Sequence, residues 1–241
     1  MEELEVIHID QEAVRLTESF TMIDLATVDD LVLSIFLCQG TLPYHRHVDQ
    51  DELFLVHSGT ISLESDWGRV VLRAGEMAIA PKGVGHRSSA LVRSQVLLLQ
   101  PRLMVNRRNG HRRLFAPKES GHLEKVNVPA VGHQISAPFE PVTVAHLDTY
   151  AVHVTRCVGD GPAWLPTPQD SLVLCQEGRL TLALGAGTRP RDPPDEQYML
   201  EAGDLLVVPK GFGSQISSPT GALVLGVQRH KQPGLPLTDK P

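Results

Sequence analysis

The sequence has little cysteine: only Cys38, Cys157 and Cys175 in 241 residues, an odd number, widely separated and in no CxxC arrangement. The spacing therefore implies no disulfide framework, and a reducing cytoplasm is the simple reading. Positive charge is not in excess. The formal net charge is −6, which gives no general attraction to nucleic acid or to an anionic membrane. Long apolar runs are missing too, since no stretch approaches the roughly 20 apolar residues of a membrane span. The opening MEELEVIHIDQEAV is acidic and lacks the apolar run of a signal peptide or the basic character of a transit sequence. Helical periodicity is nearly absent. What remains is a chain of 41% hydrophobic residues with a mean hydropathy of −0.08, the composition of a globular protein whose expected partners are small molecules, with no nucleic acid and no membrane.

What is present is a series of short alternating segments separated by Gly, Pro and Asp turns. Leu4–Ile9 and Ser19–Asp24 read as short strands and Leu31–Cys38 (LVLSIFLC) as a longer buried one. Glu52–His57, Thr60–Glu64, Arg69–Leu72, Glu76–Ala80, His86–Leu91 and Gln95–Gln100 follow. The pattern predicts an all-β fold, a sandwich or barrel of the jelly-roll kind.

An internal repeat sets the organisation. A shift of 119 residues aligns Leu4 with Leu123, Cys38 with Cys157, Gly40 with Gly159, Pro43 with Pro162 and Gly59 with Gly178; QDELFLVHSG matches QDSLVLCQEG. After an insertion around Gly185–Glu196, LRAGEMAIAPKGVGH matches LEAGDLLVVPKGFGS at a shift of 128. Two tandem β-barrels are expected: residues 1–105, a linker 106–121, residues 122–230 and a Pro-rich, polar tail 231–241. Such a chain is a monomeric pseudo-dimer or forms a homodimer. Arg102, Arg107, Arg108, Arg112 and Arg113 cluster at and in the linker, where pairing with carboxylates is a better reading than an anion patch in an acidic chain with little aromatic interleaving.

The chemistry gathers in GTLPYHRHVDQDELFLVHSG (Gly40–Gly59) and GEMAIAPKGVGH (Gly75–His86). Side chains alternate faces along a strand, so His45 and His47 point the same way. Glu52 opens an apolar alternating strand after a polar turn, and Pro81 and Gly83 turn the chain into His86. Three imidazoles and a carboxylate suit Fe, Mn, Co, Ni, Cu or Zn. By alternation Phe54 and Val56 share the inward face of Glu52, and Ser88 that of His86, giving an apolar pocket wall with one hydroxyl. His57 should face away from it. Tyr44, Gln50 and Arg73 lie near the motifs as turn and surface residues; Gln50 recurs as Gln169.

The pattern G-x4-HxH-x4-E-x6-G followed by G-x5-P-x-G-x2-H closely resembles the two motifs of the cupin superfamily. It departs by one residue ahead of the histidines and carries Ala90 where the family often has Asn. The resemblance implies small β-barrels, one of them holding one divalent transition metal through His45, His47, Glu52 and His86. In the second copy Trp164, Pro166, Ser171 and Ser214 stand at those four places, which implies a degenerate, metal-free cupin. Four protein ligands on an octahedral ion leave two adjacent positions, which suits catalysis. Many cupins cleave carbon bonds with oxygen, so the resemblance favours a mononuclear Fe(II) dioxygenase acting on a small chelating substrate, phenolic, diketone or hydroxy-acid. A redox-neutral isomerase, decarboxylase or cyclase, or a non-enzymatic binding bicupin, are the alternatives.

Overall fold

The computed structural model describes residues 4–102, 121–162, 168–185 and 196–230. The first copy contributes β1 (Ile7–His8), α1 (Ile9–Ala13), β2 (Met22–Val28), β3 (Leu31–Thr41), β4 (His45–Arg46), β5 (Glu52–Ser58), β6 (Thr60–Ser65), β7 (Gly68–Arg73), β8 (Glu76–Ala80) and β9 (Gly85–Pro101). The second contributes β10 (Lys125–Asn127), α2 (Val128–Gln134), β11 (Val142–Leu147), β12 (Tyr150–Asp160), β13 (Ser171–Gly185), β14 (Glu196–Glu201), β15 (Asp204–Val208) and β16 (Gly213–Arg229). The repeat extends to backbone conformation. Phe20 and Phe139 take φ of 63° and 64°, and Asp29 and Asp148 take 53° and 50°. The inserted loop, Trp164, Pro166, the tail and all the linker arginines except Arg102 lie outside the described residues.

Among the described residues the strands form one nine-stranded and one seven-stranded sheet, each folded on itself as a jelly roll. The long apolar run of β3 is explained by its position between two cores. Phe36 and Cys38 face the interior of the first barrel, while Leu33, Ile35 and Leu37 face the second barrel. β5 divides likewise, Phe54 and Val56 inward and Leu53 and Leu55 toward the partner barrel. A strand covered on both faces needs no polar residues between its apolar ones. The facing surface comes from Tyr150, Val152 and Val154 of β12, Leu172 and Leu174 of β13, and Leu223, Leu225 and Val227 of β16.

Sheet membership does not follow chain order. β1 pairs with β15 of the second sheet (Ile7 opposite Leu205), and its repeat β10 pairs with β8 of the first (Val126 opposite Met77). Leu4 and Val6 accordingly pack into the second barrel's interior and Leu123 into the first's. The two copies exchange their leading strands, so the span 1–105 supplies one strand to the other barrel.

Three local expectations are corrected. Of Leu4–Ile9 only Ile7–His8 is strand, because DQEA continues as a helical turn that buries Ile9 and Ala13. The expected strand Ser19–Asp24 begins at Met22, after Phe20 reverses the chain. His86–Leu91 and Gln95–Gln100 are one 17-residue strand, β9, which pairs first with β6 and then with β5. It bends where Leu91 and Val92 are exposed, and buried Ser94 packs under the β5–β6 turn, its Oγ accepting from the Thr60 N–H at 3.0 Å. Gly59 takes φ +85° there, and a Cβ would lie 2.4 Å from Ser94 Oγ, so no larger residue fits.

Candidate metal centre

Two short pairings bring the motifs together. β4 lies against the start of β9, which sets His45 opposite His86, and β5 opens with Glu52 opposite Ala80. The loops on either side are tied: the Gly83 N–H donates to the His47 carbonyl at 2.7 Å and the Lys82 N–H to Asp51 Oδ1 at 2.8 Å. Gly83 accepts φ +82°, the conformation that the turn into His86 requires. Ring centroids of His45 and His47 are 5.0 Å apart, those of His45 and His86 4.6 Å, and those of His47 and His86 5.8 Å. One ligand-capable atom from each of His45, His47, Glu52 and His86 lies within 4.8 Å of the others, so the cluster can hold a metal ion.

The hydrogen bonds orient these donors. His45 Nδ1 is 2.9 Å from the Pro43 carbonyl, and His86 Nδ1 is 3.1 Å from the Val84 carbonyl. A carbonyl can only accept, so each Nδ1 carries its proton and each Nε2 presents a lone pair to the cluster. His86 Nε2 then stands 2.8 Å from Glu52 Oε2, and His47 Nε2 3.3 Å from Glu52 Oε1. A lone pair and a carboxylate oxygen this close need a proton or a cation between them, and the donor set fits a divalent ion. Burial, with His45 and His86 alongside, holds the His47 imidazole below its usual pKa against the opposing pull of Glu52, which favours the neutral, ligating form.

The site opens inward on an apolar wall. The Phe54 ring meets His86 edge-on at 5.9 Å, and Phe36 meets Phe54 at 6.4 Å. Val56 is buried in the same interior cluster. Ser88 is 1% exposed, and its Oγ has the weakly bonding Cys38 thiol beside it and no oxygen or nitrogen partner among the described residues. His57 faces away from this interior, bonded to Asp10 Oδ1 at 2.7 Å. Gln50 is buried and donates to Gln100 Oε1 at 3.0 Å, while Gln169 donates to the Arg229 carbonyl. Both glutamines fasten the loop before a strand to the end of its neighbour.

No motif or spacing pointed to Asp66, at the tip of the β6–β7 hairpin. Its carboxylate accepts from Tyr44 Oη at 2.7 Å, from the Gly85 N–H at 2.7 Å and from Arg46 Nη2 at 3.0 Å, bracing the residues on both sides of His45 and the one before His86. The Tyr44 and Gly85 hydrogen bonds hold the Asp66 carboxyl below the usual range, and burial with Asp66 alongside raises the Tyr44 hydroxyl to about 12. These contacts are non-local, and no sequence spacing announces them. Asp66→Ala is expected to weaken metal binding by about 10–100-fold, the range for residues that orient ligands. Asp66→Asn should recover part of the loss. Equal affinity of Asp66→Ala and wild type in a competition titration with a chelator would refute the bracing role.

In the second barrel, Ser171 and Ser214 occupy the places of Glu52 and His86, and no metal-ligand cluster forms among its described residues.

Comparison with known proteins agrees with this geometry. A family model described as a cupin domain matches residues 34–99, from β3 to β9. Over 84 residues, 34% of this chain and 74% of the relative, the sequence is 30% identical to the uncharacterized protein YdbB of Bacillus subtilis (strain 168). Among solved structures, a cupin 2 conserved barrel domain protein from Leptotrichia buccalis superposes with a TM-score of 0.70 at 9% identity, covering 94% of this chain and 97% of that one. A salicylate 1,2-dioxygenase from Pseudaminobacter salicylatoxidans gives 0.68 at 12% identity, covering 93% and 84%. These two similarities span both barrels, whereas the sequence match is confined to about one. With motif, relative and two-barrel fold in agreement, the chain belongs to the cupin superfamily, as a bicupin.

Proposed function

We propose that the first barrel is the mononuclear Fe(II) centre of a dioxygenase acting on a small chelating substrate, phenolic, diketone or hydroxy-acid, with His45, His47, Glu52 and His86 as ligands. The observation that carries this reading is the donor arrangement: imidazoles fixed through Nδ1 and facing one buried carboxylate, in a family whose members include metal enzymes. The similarity to a structure of a salicylate 1,2-dioxygenase supports the choice of chemistry through the shared fold.

A bound Fe(II) would supply Lewis acidity and a site for oxygen chemistry. The chain supplies the rest. Three neutral imidazoles and one carboxylate leave a divalent ion with a net positive charge that favours an anionic, chelating substrate end. Phe36, Phe54 and Val56 exclude water from the inner side and present an apolar surface to a ring or chain. The Ser88 hydroxyl, with only the weakly bonding Cys38 thiol beside it, is available to take a substrate oxygen, since a buried hydroxyl without a strong partner is costly unless a ligand supplies one.

The test is anaerobic purification with elemental analysis, then Fe(II) reconstitution and oxygen-uptake screening against catechols, diketones and hydroxy acids. The expected result is one iron per chain with uptake triggered by a substrate. Stoichiometric zinc, nickel or manganese with no uptake in any class would overturn the dioxygenase reading in favour of redox-neutral chemistry, and no metal under any loading condition would overturn the ligand assignment.

A further inference from the structure

Of the four former ligand places in the second barrel, the two that are described, Ser171 and Ser214, carry small side chains that line open space. A cavity of about 300 Å³ opens among His153 and Thr155 of β12, Ser171 of β13, and Ser214 and Gln228 of β16, the interior face of that barrel. This volume is at the small end for ligand pockets, about 300–1,000 Å³. The repeat explains its origin. Phe36, Phe54 and Leu98 crowd the interior of the first barrel, and the matching residues in the second are Thr155, Val173 and Gly226. At Gly226 an added Cβ would meet, among the described residues, only the Leu172 carbonyl, at 3.9 Å, and the backbone there does not require glycine. Three large side chains have become small where a collapsed, purely structural barrel would keep them large, since unfilled space forfeits packing energy.

The polar groups are arranged for a ligand. His153 Nε2 is 3.4 Å from Gln228 Nε2 and its Nδ1 is 3.0 Å from Thr143 Oγ1, so Gln228 donates to a neutral imidazole and retains its carbonyl and one N–H. Burial, with His146 and His230 nearby, lowers the pKa of His153 and keeps it uncharged. The hydroxyls of Thr155, Ser171 and Ser214 make no hydrogen bond to the described residues. No Asp, Glu, Lys or Arg is among the described residues lining the cavity, and the remaining wall is largely apolar, including Phe139, Ile216 and Val224. A charged molecule would find no counter-ion there, and a fully apolar one would leave several hydroxyls without partners.

We propose that the second barrel is a metal-independent binding site for a small, uncharged, hydroxylated ring compound of the phenol class. The ring lies against the apolar wall, and its hydroxyls exchange hydrogen bonds with Gln228 and the Ser and Thr hydroxyls. The site is independent of the first barrel's metal.

The test uses the full chain and 4-hydroxybenzyl alcohol as probe, followed by amide chemical shifts in NMR. Saturable shifts are expected in β12, β13 and β16, with the same affinity in Glu52→Ala. Gly226→Leu and Val173→Phe each restore the bulk found in the first barrel, and are expected to bind the probe at least about tenfold more weakly while keeping wild-type metal content. Using both variants covers the case in which one misfolds. Absence of saturable shifts in these strands, their disappearance in Glu52→Ala, undiminished binding in the cavity-filling variants, or tighter binding of the anionic 4-hydroxybenzoate would each overturn the proposal.

Discussion

Glu52→Ala is expected to abolish stoichiometric metal binding, lowering affinity by more than the roughly 100-fold that loss of an orienting residue costs, while the barrel stays folded. Glu52 is the one anion in the cluster, and its side chain is only 5% exposed. Without it a divalent ion would sit among three neutral imidazoles with its charge uncompensated in a partly buried site, at a high desolvation cost. Backbone pairing of Glu52 with Ala80 does not depend on the side chain. In the metal-free state the substitution also removes a buried carboxylate, so metal-free Glu52→Ala should melt no lower than metal-free wild type. His47→Ala should lose metal in the same way, because His47 contributes one of the four donors and its half-exposed ring contributes little to the core. Elemental analysis with circular dichroism on both variants reads the two effects separately. Stoichiometric metal retained in both would refute the ligand assignment, and unfolding of both would show that the residues are needed for structure instead.

The site was legible in the sequence because its information is local. Period-two alternation puts His45 beside His47, and the Pro81 and Gly83 turn delivers His86, so these spacings carry the geometry without knowledge of the rest of the fold. The repeat was legible for a similar reason, since the strand bounds of β3 and β12, and of β9 and β16, differ by the shifts read from the residues. The exchanged leading strands were not legible. β8 (EMAIA) and β15 (DLLVV) are repeats of each other and offer equivalent edges to either short strand, so local pattern favours neither pairing. The choice is made by the chain path and by where Leu4, Val6 and Leu123 find interior space. Asp66 and the cavity of the second barrel escaped for a related reason. One depends on contacts between hairpins far apart in sequence, and the other on what is missing from a set of side chains that only the fold brings together.

Separation of the barrels is expected to fail. A chain ending at residue 102 would uncover Leu33, Ile35, Leu37, Leu53, Leu55, Leu97 and Leu99, which pack against the second barrel. At about 1.5–3 kcal/mol for each fully buried aliphatic side chain, the lost burial is on the order of 10–20 kcal/mol, comparable with the whole net stability of a domain, about 5–15 kcal/mol. The same truncation removes β10 from the edge of β8, together with the Lys125 and Asn127 contacts to Glu76 Oε1 at 3.1 and 3.3 Å, and leaves β1 without its partner. It also removes the Tyr150 hydroxyl, which donates to the Val28 carbonyl at 3.1 Å and lies against Asp30 and Arg229. Residues 14–134 separate these causes, because that fragment keeps β10 and drops the orphaned β1, completing the first sheet while its apolar face stays bare. If the inter-barrel face dominates, both fragments self-associate or precipitate, as sedimentation or light scattering would read. If the exchanged strand dominates, residues 14–134 are soluble and monomeric while the shorter chain is not. A soluble, monomeric, metal-loaded fragment ending at 102 would refute both accounts, and the second barrel would then be retained for its own pocket and not as a cover for the first.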